Sequence, residues 1–280
     1  MPLDYDYLMS LPPIVTRHEL TKRDTILYAL GVGANDLRHV YEDGLEALPT
    51  LAVVIAYPGF FAKEPQYGIS WQKLLHGEQS IILHRPLPSE GVFVGTTRIE
   101  EIYDKGADKG AIMLATREIR IEGDPEPIAT ARATSFLRGD GGFGQGGAGT
   151  PPAPHPVPDR EPDLVLSSPT REDQAMLYRL SGDYNPLHID PAVARAAGFE
   201  RPILHGLCTY GIVGRALLDA LCADEGARVR RMDVRFSSPV YPGETIETRI
   251  WREGDGRAAF RARVAERDII VINNGRLDYQ

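Results

Sequence analysis

A short polar stretch of the sequence could carry acid–base chemistry. Asp183, Asn185 and His188 fall within six positions, in the string SGDYNPLH. The Asn185-Pro186 pair favours a turn over a helix, so the three polar side chains can converge. A carboxylate beside an imidazole orients the ring and favours its protonated form, whereas burial opposes protonation. Asp183 and His188 could therefore form a general acid–base pair that handles a proton of water.

The same residues also have a purely structural interpretation. Asp183 could cap a helix, Asn185 could form a turn, and His188 could be a hydrogen-bonded core histidine. His205 and Gly206 pose a similar choice, because they precede an apolar run typical of a helix. The first N–H groups of a helix can stabilise a thioester oxygen that becomes an enolate. Alternatively, Gly206 lets the helix begin close to its neighbours.

Predicted helices lie on both sides of this polar stretch. Thr170 and Asp173 resemble a capping box that opens a short helix running to Leu180. After the stretch, residues 207–221 are apolar on most of a helical circumference. Such a helix is best buried by a sheet that curls around it.

Alternating apolar residues predict antiparallel strands after the helical segments in each half of the chain. The alternating positions are residues 232–236, 246–250 and 258–264 in the second half, and Ile112, Leu114, Thr116, Ile128, Thr130 and Thr134 in the first. One face of each strand is expected to be buried and the other exposed to solvent.

The two halves of the chain look like a diverged tandem duplication. Residues 28–38 match residues 178–188 without a gap, 150 positions apart. Further on, Pro86 matches Pro239 at a separation of 153 positions. Agreement at two places argues against a chance match, so we expect two copies of one fold side by side.

The duplication favours the catalytic interpretation of the polar stretch. At the matched positions, the first half has Gly33 where the second has Asp183, and Arg38 where the second has His188. The shared fold therefore does not need the acid and the histidine. The second half carries them for another reason, and catalysis is the leading candidate.

A glycine- and proline-rich segment, residues 139–162, separates the two halves. It contains the G-x-G-x-x-G pattern of dinucleotide-binding folds, but prolines follow where that pattern requires a helix. We therefore predict a linker between a first domain over residues 1–138 and a second over residues 163–280.

Composition excludes several classes of protein. The 280 residues are 42% hydrophobic and 25% charged, as in soluble globular proteins. The net charge of −8 leaves no basic field for nucleic acid or an anionic membrane. The longest apolar run, residues 51–57, is shorter than the ~20 residues of a membrane span. Two cysteines, Cys208 and Cys222, cannot form a disulfide framework, which favours a cytoplasmic location.

Motifs from both halves together resemble one protein family. SGDYNPLH followed by RPILHGLCTYG resembles the signature of the MaoC-like (R)-specific enoyl-CoA hydratases, also called hydratase 2. YALGVGA, ALPTL, LLHGEQ, RPLP, DKG and GGFG resemble the N-terminal half of the double hot-dog members. The resemblance implies an α+β fold of two tandem hot-dog units, each an antiparallel sheet wrapped around a central helix, that form a pseudo-dimer within one chain. It also implies that only the second unit keeps the catalytic motif.

The implied activity is the reversible hydration of a trans-2-enoyl-CoA to a (3R)-3-hydroxyacyl-CoA, without a metal or another cofactor. By the resemblance, Asp183 and His188 hold and activate the water, Asn185 orients the site, and the N–H of Gly206 polarises the thioester carbonyl. The implied substrate contacts are His76, Gly77, Lys105, Asp183, Tyr184, Asn185, Pro186, Leu187, His188, Gly206 and Phe236. Lys105 and nearby arginines would meet the CoA phosphates or the pantetheine arm. Read without the resemblance, Lys105 is a turn residue and Phe236 a core residue.

The family pattern also implies room for a bulky acyl chain in the first half. Gly31, Gly33, Ala34 and residues 58–60 would permit such room, for medium or long fatty acyl chains or steroid side chains undergoing β-oxidation.

Three other interpretations stay open. A hot-dog thioesterase would attack the thioester carbon, a dehydratase would act on carrier-protein substrates, and a non-catalytic acyl-CoA-binding subunit would need no proton relay. A homodimer is also expected, through an exposed sheet edge or helix face.

Overall fold

The computed structural model describes residues 3–144, 146 and 151–280, and within them ten strands form one antiparallel sheet. The strands are β1 (Ile14–Leu20), β2 (Leu74–Leu83), β3 (Gly91–Asp104), β4 (Ala111–Ile121), β5 (Pro127–Leu137), β6 (Leu164–Pro169), β7 (Val229–Phe236), β8 (Thr245–Gly254), β9 (Arg257–Val264) and β10 (Ile269–Tyr279). Their order across the sheet is β1-β3-β4-β5-β2-β7-β10-β9-β8-β6.

The helices lie against this sheet, and all but one of those described are no longer than ten residues. The α-helices are α1 (Tyr5–Ser10), α2 (Lys22–Gly31), α3 (Leu37–Val40), α4 (Gln174–Tyr178), α5 (Pro191–Ala196) and α6 (Gly206–Cys222). Short 3₁₀ helices cover Pro49–Val53, Phe61–Lys63, Pro65–Tyr67, Trp71–Lys73, Arg179–Ser181, Pro186–His188 and Gly226–Arg228.

The centre of the sheet carries a pseudo-two-fold axis. β2 pairs with β7, and Ser80 lies directly opposite Asp233. These residues are 153 positions apart, the same separation as Pro86 and Pro239. A residue and its repeat become direct partners in an antiparallel pair only at a two-fold axis. The duplication is therefore confirmed, and the arrangement is the pseudo-dimer predicted for two tandem hot-dog units.

A long helix fills the concave side of the second half. The 17 residues of α6 match the helix predicted from the apolar run over residues 207–221. Tyr210 is fully buried, and its hydroxyl donates to the carbonyl of Met232 on β7 at 3.0 Å. Gly211 lets the first half approach, since a Cβ there would lie 2.4 Å from Val32. The two halves therefore share one core around α6.

The first half has no helix of that length among its described residues. At the corresponding place it has the 3₁₀ helix Pro49–Val53, which spans 5 residues and is followed by a left-handed turn at Ala56 (φ 49°). The sequence did not predict this difference, because residues 51–57 are as apolar as the start of α6.

The predicted capping box is wrong. The Thr170 hydroxyl donates to the carbonyl of Glu244 at 2.7 Å, so it ties β6 to the start of β8. α4 begins after Asp173, whose side chain makes no capping hydrogen bond to the helix. Arg171 holds that carboxylate instead, at 2.6 Å.

The predicted face of β4 is also wrong. Ile112 and Leu114 are only half-buried, whereas Met113 and Ile119 are in the core. Thr116 is buried as predicted, but so is Arg117 beside it, because both faces of this strand are covered there.

Of the positions proposed to leave room for an acyl chain, Gly31 is a packing position. A Cβ at Gly31 would lie 3.3 Å from the Cα of Tyr178, where α2 crosses α4. Ala34 is buried, whereas a Cβ at Gly33 would have its nearest neighbour 3.8 Å away and one at Gly59 would have none within 4 Å. The expectation that the first half accommodates a bulky acyl chain stays a prediction.

The predicted linker lies partly outside the described residues, because 145 and 147–150 are not among them. Its start packs on the first half, where the carboxylate of Asp104 accepts two glycine N–H groups at 2.8 and 2.7 Å. Its end packs on the second half, where the indole of Trp251 donates to the carbonyl of Arg160 at 2.7 Å. The described parts are anchored to both halves, and the domain limits stay a prediction.

Across the described residues, the helices are all too short or too polar to cross a bilayer.

Candidate active site

The loop between α4 and α5 holds the predicted catalytic residues. Gly182 ends the 3₁₀ turn after α4 in a left-handed conformation (φ 112°), and Asp183 follows. The Asp183 carboxylate accepts the N–H of Asn185 at 3.2 Å, and the Asn185 side chain accepts the N–H of Leu187 at 3.1 Å. Two successive side-chain turns therefore fix the direction of the Asp183 carboxylate.

His188 is a buried base whose tautomer is set by the backbone. It is the last residue of the 3₁₀ helix Pro186–His188 and is 8% exposed. Its Nδ1 lies 2.9 Å from the carbonyl oxygen of Ile203. A carbonyl only accepts, so Nδ1 carries the hydrogen and Nε2 keeps its lone pair. Burial lowers the pKa of His188, although the Ile203 hydrogen bond and the charge of Asp183 act in the opposite direction.

A second histidine, His205, packs on the first. The two rings lie 3.8 Å apart at an interplanar angle of 30°, and Tyr178 covers the other side of His205 at 5.0 Å. Its Nε2 lies 3.2 Å from the main-chain oxygen of Asp183 and therefore donates to it. Burial and the neighbouring His188 hold the pKa of His205 well below its ordinary value. His205 thus stays neutral and connects both members of the predicted pair.

Asp183, His188 and His205 each place one side-chain oxygen or nitrogen within 4.8 Å of the others. A carboxylate and two imidazoles form a common metal-ligand set. Each imidazole gives one nitrogen to a main-chain carbonyl, which leaves the other nitrogen and the Asp183 carboxylate available for a proton or an ion.

Gly206 is the first residue of α6, directly after His205. Among the described residues, no acceptor bonds the N–H groups of Gly206 and Leu207. A Cβ at Gly206 would lie 3.5 Å from the ring of Phe236, so α6 begins beside that ring. The positive end of the α6 dipole reinforces these donors towards a developing oxyanion.

His76 and Phe236 meet across the two halves. Their rings lie 5.1 Å apart, His76 being at the start of β2 and Phe236 at the end of β7. Burial lowers the pKa of His76, although the charge of Asp183 acts in the opposite direction. Because Phe236 also lies against Gly206, the His76 ring lies near the start of α6. Gly77 instead packs against Phe136, where a Cβ would approach the ring to 2.5 Å. His76 therefore joins the site, and Gly77 supports the strand behind it.

The other predicted contacts lie further out. Tyr184 is 58% exposed, with the Arg179 guanidinium over its ring at 4.9 Å. Pro186 is exposed on the same loop, and Leu187 is half-buried. Lys105 lies in the turn between β3 and β4, and none of its contacts in the described structure reaches the catalytic loop.

Tyr57 is a residue of the first half that the sequence did not connect with the site. It follows the 3₁₀ segment of the first half and is 42% exposed, and burial and the charge of Asp183 raise its pKa. Its ring lies 5.3 Å from the guanidinium carbon of Arg117 on β4. Tyr57 ends an apolar run, so nothing in the pattern distinguished it from a core residue.

The first half contains a structural counterpart of the catalytic loop, one residue out of the predicted register. Asp36 caps α3 by accepting the N–H of Arg38 at 2.9 Å, as Asn185 does for its own short helix. The third residue of α3 is His39, whose Nδ1 lies 2.8 Å from the carbonyl of Glu46. This matches the setting of His188. The predicted pairing of Arg38 with His188 is therefore wrong, and His39 is the counterpart.

This counterpart lacks a catalytic constellation. The Nε2 of His39 lies 3.2 Å from the Asp224 carboxylate, and the ring is 1% exposed. Pro49 begins the short helix where Gly206 begins α6, and proline has no N–H. A cleft of about 760 Å³ remains outside, lined by Arg38, Pro49 and Leu83 among others. The first half keeps the shape of a site without its free base or oxyanion donor.

The chain matches two known families in tandem. Residues 154–274 match the family described as MaoC like domain, and residues 18–139 match the MFE-2 hydratase 2 N-terminal domain. The boundary between the two matches falls in the glycine-rich segment.

Relatives and a solved structure extend the likeness to nearly the whole chain. The 3-hydroxyacyl-thioester dehydratase Y of Mycobacterium tuberculosis is 46% identical over 276 residues, which cover 93% of each chain. A probable enoyl-CoA hydratase 2 of Dictyostelium discoideum is 42% identical over 270 residues, or 92% of this chain and 90% of that protein. The crystal structure of a MaoC-like dehydratase from Phytophthora capsici has a TM-score of 0.89 at 38% identity and covers 98% of both chains.

Proposed function

The chain belongs to the MaoC-like hydratase 2 family, and from this premise we propose that its second half hydrates trans-2-enoyl-CoA to (3R)-3-hydroxyacyl-CoA with Asp183 and His188 as the acid–base pair. It is an enoyl-CoA hydratase, a lyase. The observation that carries the residue assignment is the convergence of Asp183, His188 and His205 within 4.8 Å beside the start of α6.

The reaction needs one water and one proton relay. His188 Nε2 and the Asp183 carboxylate hold the water between them. The water oxygen adds to C3, one of its protons passes to the pair, and the pair delivers a proton to C2. Acid–base groups of this kind contribute about 10²- to 10⁴-fold each.

The thioester oxygen accumulates negative charge while C2 is an enolate carbon. The N–H of Gly206 would donate to it at the positive end of α6, a contribution of about 10²- to 10³-fold. Asn185 holds the turn that aims Asp183. His205 is a positioning residue, since it bonds the Asp183 main chain and stacks on His188.

The substrate would cross the boundary between the halves. We propose that His76, Phe236, Tyr184, Pro186 and Leu187 contact the thioester and pantetheine, because they border the catalytic loop. Gly77 would shape the strand beneath them. Lys105 would meet the CoA phosphates from the β3–β4 turn. The first domain, residues 1–138, would accommodate a medium, long or steroid acyl group.

The experiment follows the absorbance of the enoyl-thioester band with crotonyl-CoA, trans-2-decenoyl-CoA and a steroid enoyl-CoA, with chiral analysis of the product. Wild type should remove the band and form the (3R) alcohol, and folded Asp183→Asn and His188→Ala should not. Release of free CoA with an unchanged band would indicate a thioesterase instead. Tight binding without any reaction would indicate a non-catalytic subunit.

Two further properties stay proposals. Cys208 and Cys222 are both buried free thiols, which supports a reducing compartment such as the cytoplasm, and fractionation of the native cell would test this. The homodimer is tested by light scattering on the purified chain.

A further inference from the structure

The sheet register identifies which residues of the two halves occupy equivalent places. In the first half, Ser80 on β2 pairs with Arg132 on β5, which pairs with Thr116 on β4. In the second half, Asp233 on β7 pairs with Arg276 on β10, which pairs with Ala259 on β9. The residues that follow these two on β4 and β9 are Arg117 and Phe260, so they are counterparts.

A second pair of counterparts follows at once. Arg117 lies directly opposite Thr97 on β3, and Phe260 lies directly opposite Ile250 on β8. In the second half, the phenylalanine and the isoleucine are fully buried on the concave face that carries α6. The first half has a buried arginine and a buried threonine at the same two places, each 6% exposed.

Both polar side chains have atoms without partners. Arg117 donates to the carbonyls of Ala52 and Val53 at 3.2 and 2.6 Å, which caps the end of the short 3₁₀ helix. Its Nε is buried and unbonded in the described structure, and so is the hydroxyl of Thr97. Direct cross-strand partners have Cβ atoms about 5 Å apart, so these groups are neighbours on one face.

The charge of Arg117 is uncompensated. No carboxylate lies within ion-pair distance of it among the described residues. Burial lowers its pKa to about 10, which leaves the guanidinium charged at neutral pH. Capping two neutral carbonyls does not neutralise this charge, and a buried unpaired charge destabilises a fold. An anionic or oxygen-bearing group would complete the site.

Tyr57 connects this place with the catalytic loop. Its ring lies against the Arg117 guanidinium at 5.3 Å, and the charges of both Arg117 and Asp183 act on its phenol. Tyr57 is 42% exposed and Arg117 is 6% exposed, so this contact joins a partly exposed ring to a buried guanidinium.

We propose that Arg117 and Thr97 form a subsite in the first half for a distal oxygen of the acyl group, with a terminal carboxylate as its best ligand. The inference rests on the proposed hydratase function and names a substrate class for it: enoyl-CoA thioesters whose acyl chain carries an oxygen function far from the thioester. Arg117 would supply the charge and a second N–H, and Thr97 a hydroxyl donor.

The test compares kcat/KM for the trans-2-enoyl-CoA thioesters of eight, ten, twelve and fourteen carbons, each with a methyl, hydroxyl or carboxylate terminus. At one chain length, wild type should prefer the carboxylate over the methyl terminus by about 10- to 100-fold, the value of a charge-assisted hydrogen bond. Folded Arg117→Met should lose this preference and keep its rate on methyl-terminated chains within about 3-fold. Thr97→Val should reduce the preference by a few-fold.

The matched control is Arg98→Met, because Arg98 follows Thr97 on β3 but points to solvent. It should keep the full preference. If Arg117→Met does not fold, the terminus preference of wild type and its reduction in Thr97→Val still test the subsite. Equal rates for methyl and carboxylate termini at every length would overturn the subsite and leave the hydratase function intact. No hydration of any substrate in the series, whatever its terminus, would instead refute the proposed function.

Discussion

Each half of the chain holds a histidine in the same backbone setting, but the two rings differ at Nε2. His39 and His188 both give Nδ1 to a carbonyl, at 2.8 and 2.9 Å. The Nε2 of His39 is held by Asp224 inside the core, whereas that of His188 faces Asp183 and the cleft. The comparison teaches that a degenerate half can keep its histidine and still lose the proton relay.

The central helix shows a second difference between the halves. α6 runs for 17 residues over an apolar face that includes Phe260, whereas its counterpart stops after 5 residues and is capped by Arg117. The short helix of the first half is followed by a polar side chain, Arg117, at the place where the second half has the core residue Phe260. The following predictions test this contrast, from the largest effect to the smallest.

Loss of the Asp183 carboxylate should have the largest effect. Asp183→Asn keeps the turn with Asn185 but cannot accept a proton, so kcat for enoyl-CoA hydration should fall by about 10²- to 10⁴-fold. Asp190→Asn, at the N-terminus of α5 on the same loop, is the matched control and should keep kcat. A small effect of Asp183→Asn, in steady-state kinetics on folded protein, would remove Asp183 from the mechanism.

Gly206→Pro should copy the defect of the first half. Proline is accepted at the first helical position, and His205 before it is already extended (ψ 135°). The substitution removes only the N–H that Pro49 also lacks, so kcat should fall by about 10²- to 10³-fold. Gly206→Ala keeps the N–H and should retain most of the rate. Equal rates for these two variants, with equal melting temperatures, would exclude the N–H of Gly206 as oxyanion donor.

His205→Phe should have an intermediate effect. The phenyl ring keeps the stack on His188 but cannot donate to the main-chain oxygen of Asp183. We expect kcat to fall about 5-fold with KM unchanged, since a lost hydrogen bond of this kind is worth about 1 kcal/mol. His205→Asn, which can donate, should recover part of the rate. A change in KM alone would assign His205 to substrate binding.

The pH dependence should show the smallest effect. Burial lowers the pKa of His188, so its base form persists below the ordinary histidine value of about 6.5. The acid limb of kcat/KM should therefore lie below about pH 6.5. The lowered pKa also predicts that the folded state loses stability as pH falls below about 6.5, because the histidine of the unfolded chain is protonated at a higher pH than His188 in the folded chain. An acid limb at or above 6.5 would contradict a buried neutral His188.

Much of this fold could be predicted from the sequence, because period and repeat are long-range signals. The apolar run after Gly206 predicted α6, and the match of Pro86 with Pro239 predicted a duplication whose 153-residue separation recurs between Ser80 and Asp233 at the axis. The phase of β4 could not be predicted, since Ile112 and Met113 are equally apolar. The early end of the helix that corresponds to α6 in the first half could not be predicted either, because the chain turns at Ala56 and no polar residue marks that turn.

The site was predicted where its residues are adjacent in sequence. Asp183, Asn185 and His188 share one loop, and their turn chemistry is local. Arg38 was predicted as the counterpart of His188 instead of His39. The gapless match placed the cap at residue 35, whereas the helix of the first half begins one residue later, after the cap Asp36. Tyr57 could not be found, because its position depends on how the first half folds against the catalytic loop.

The central claim is that one histidine of the duplicated pair relays protons and the other supports the fold. The most direct measurement is kcat for trans-2-decenoyl-CoA hydration by His188→Gln and His39→Gln, with thermal melting of both. We predict that His188→Gln loses about 10²-fold or more of kcat at nearly unchanged melting temperature. We predict that His39→Gln melts earlier and keeps kcat within about 3-fold, because the buried ring loses its contact with the Asp224 carboxylate. Equal losses of kcat in the two variants would contradict the claim.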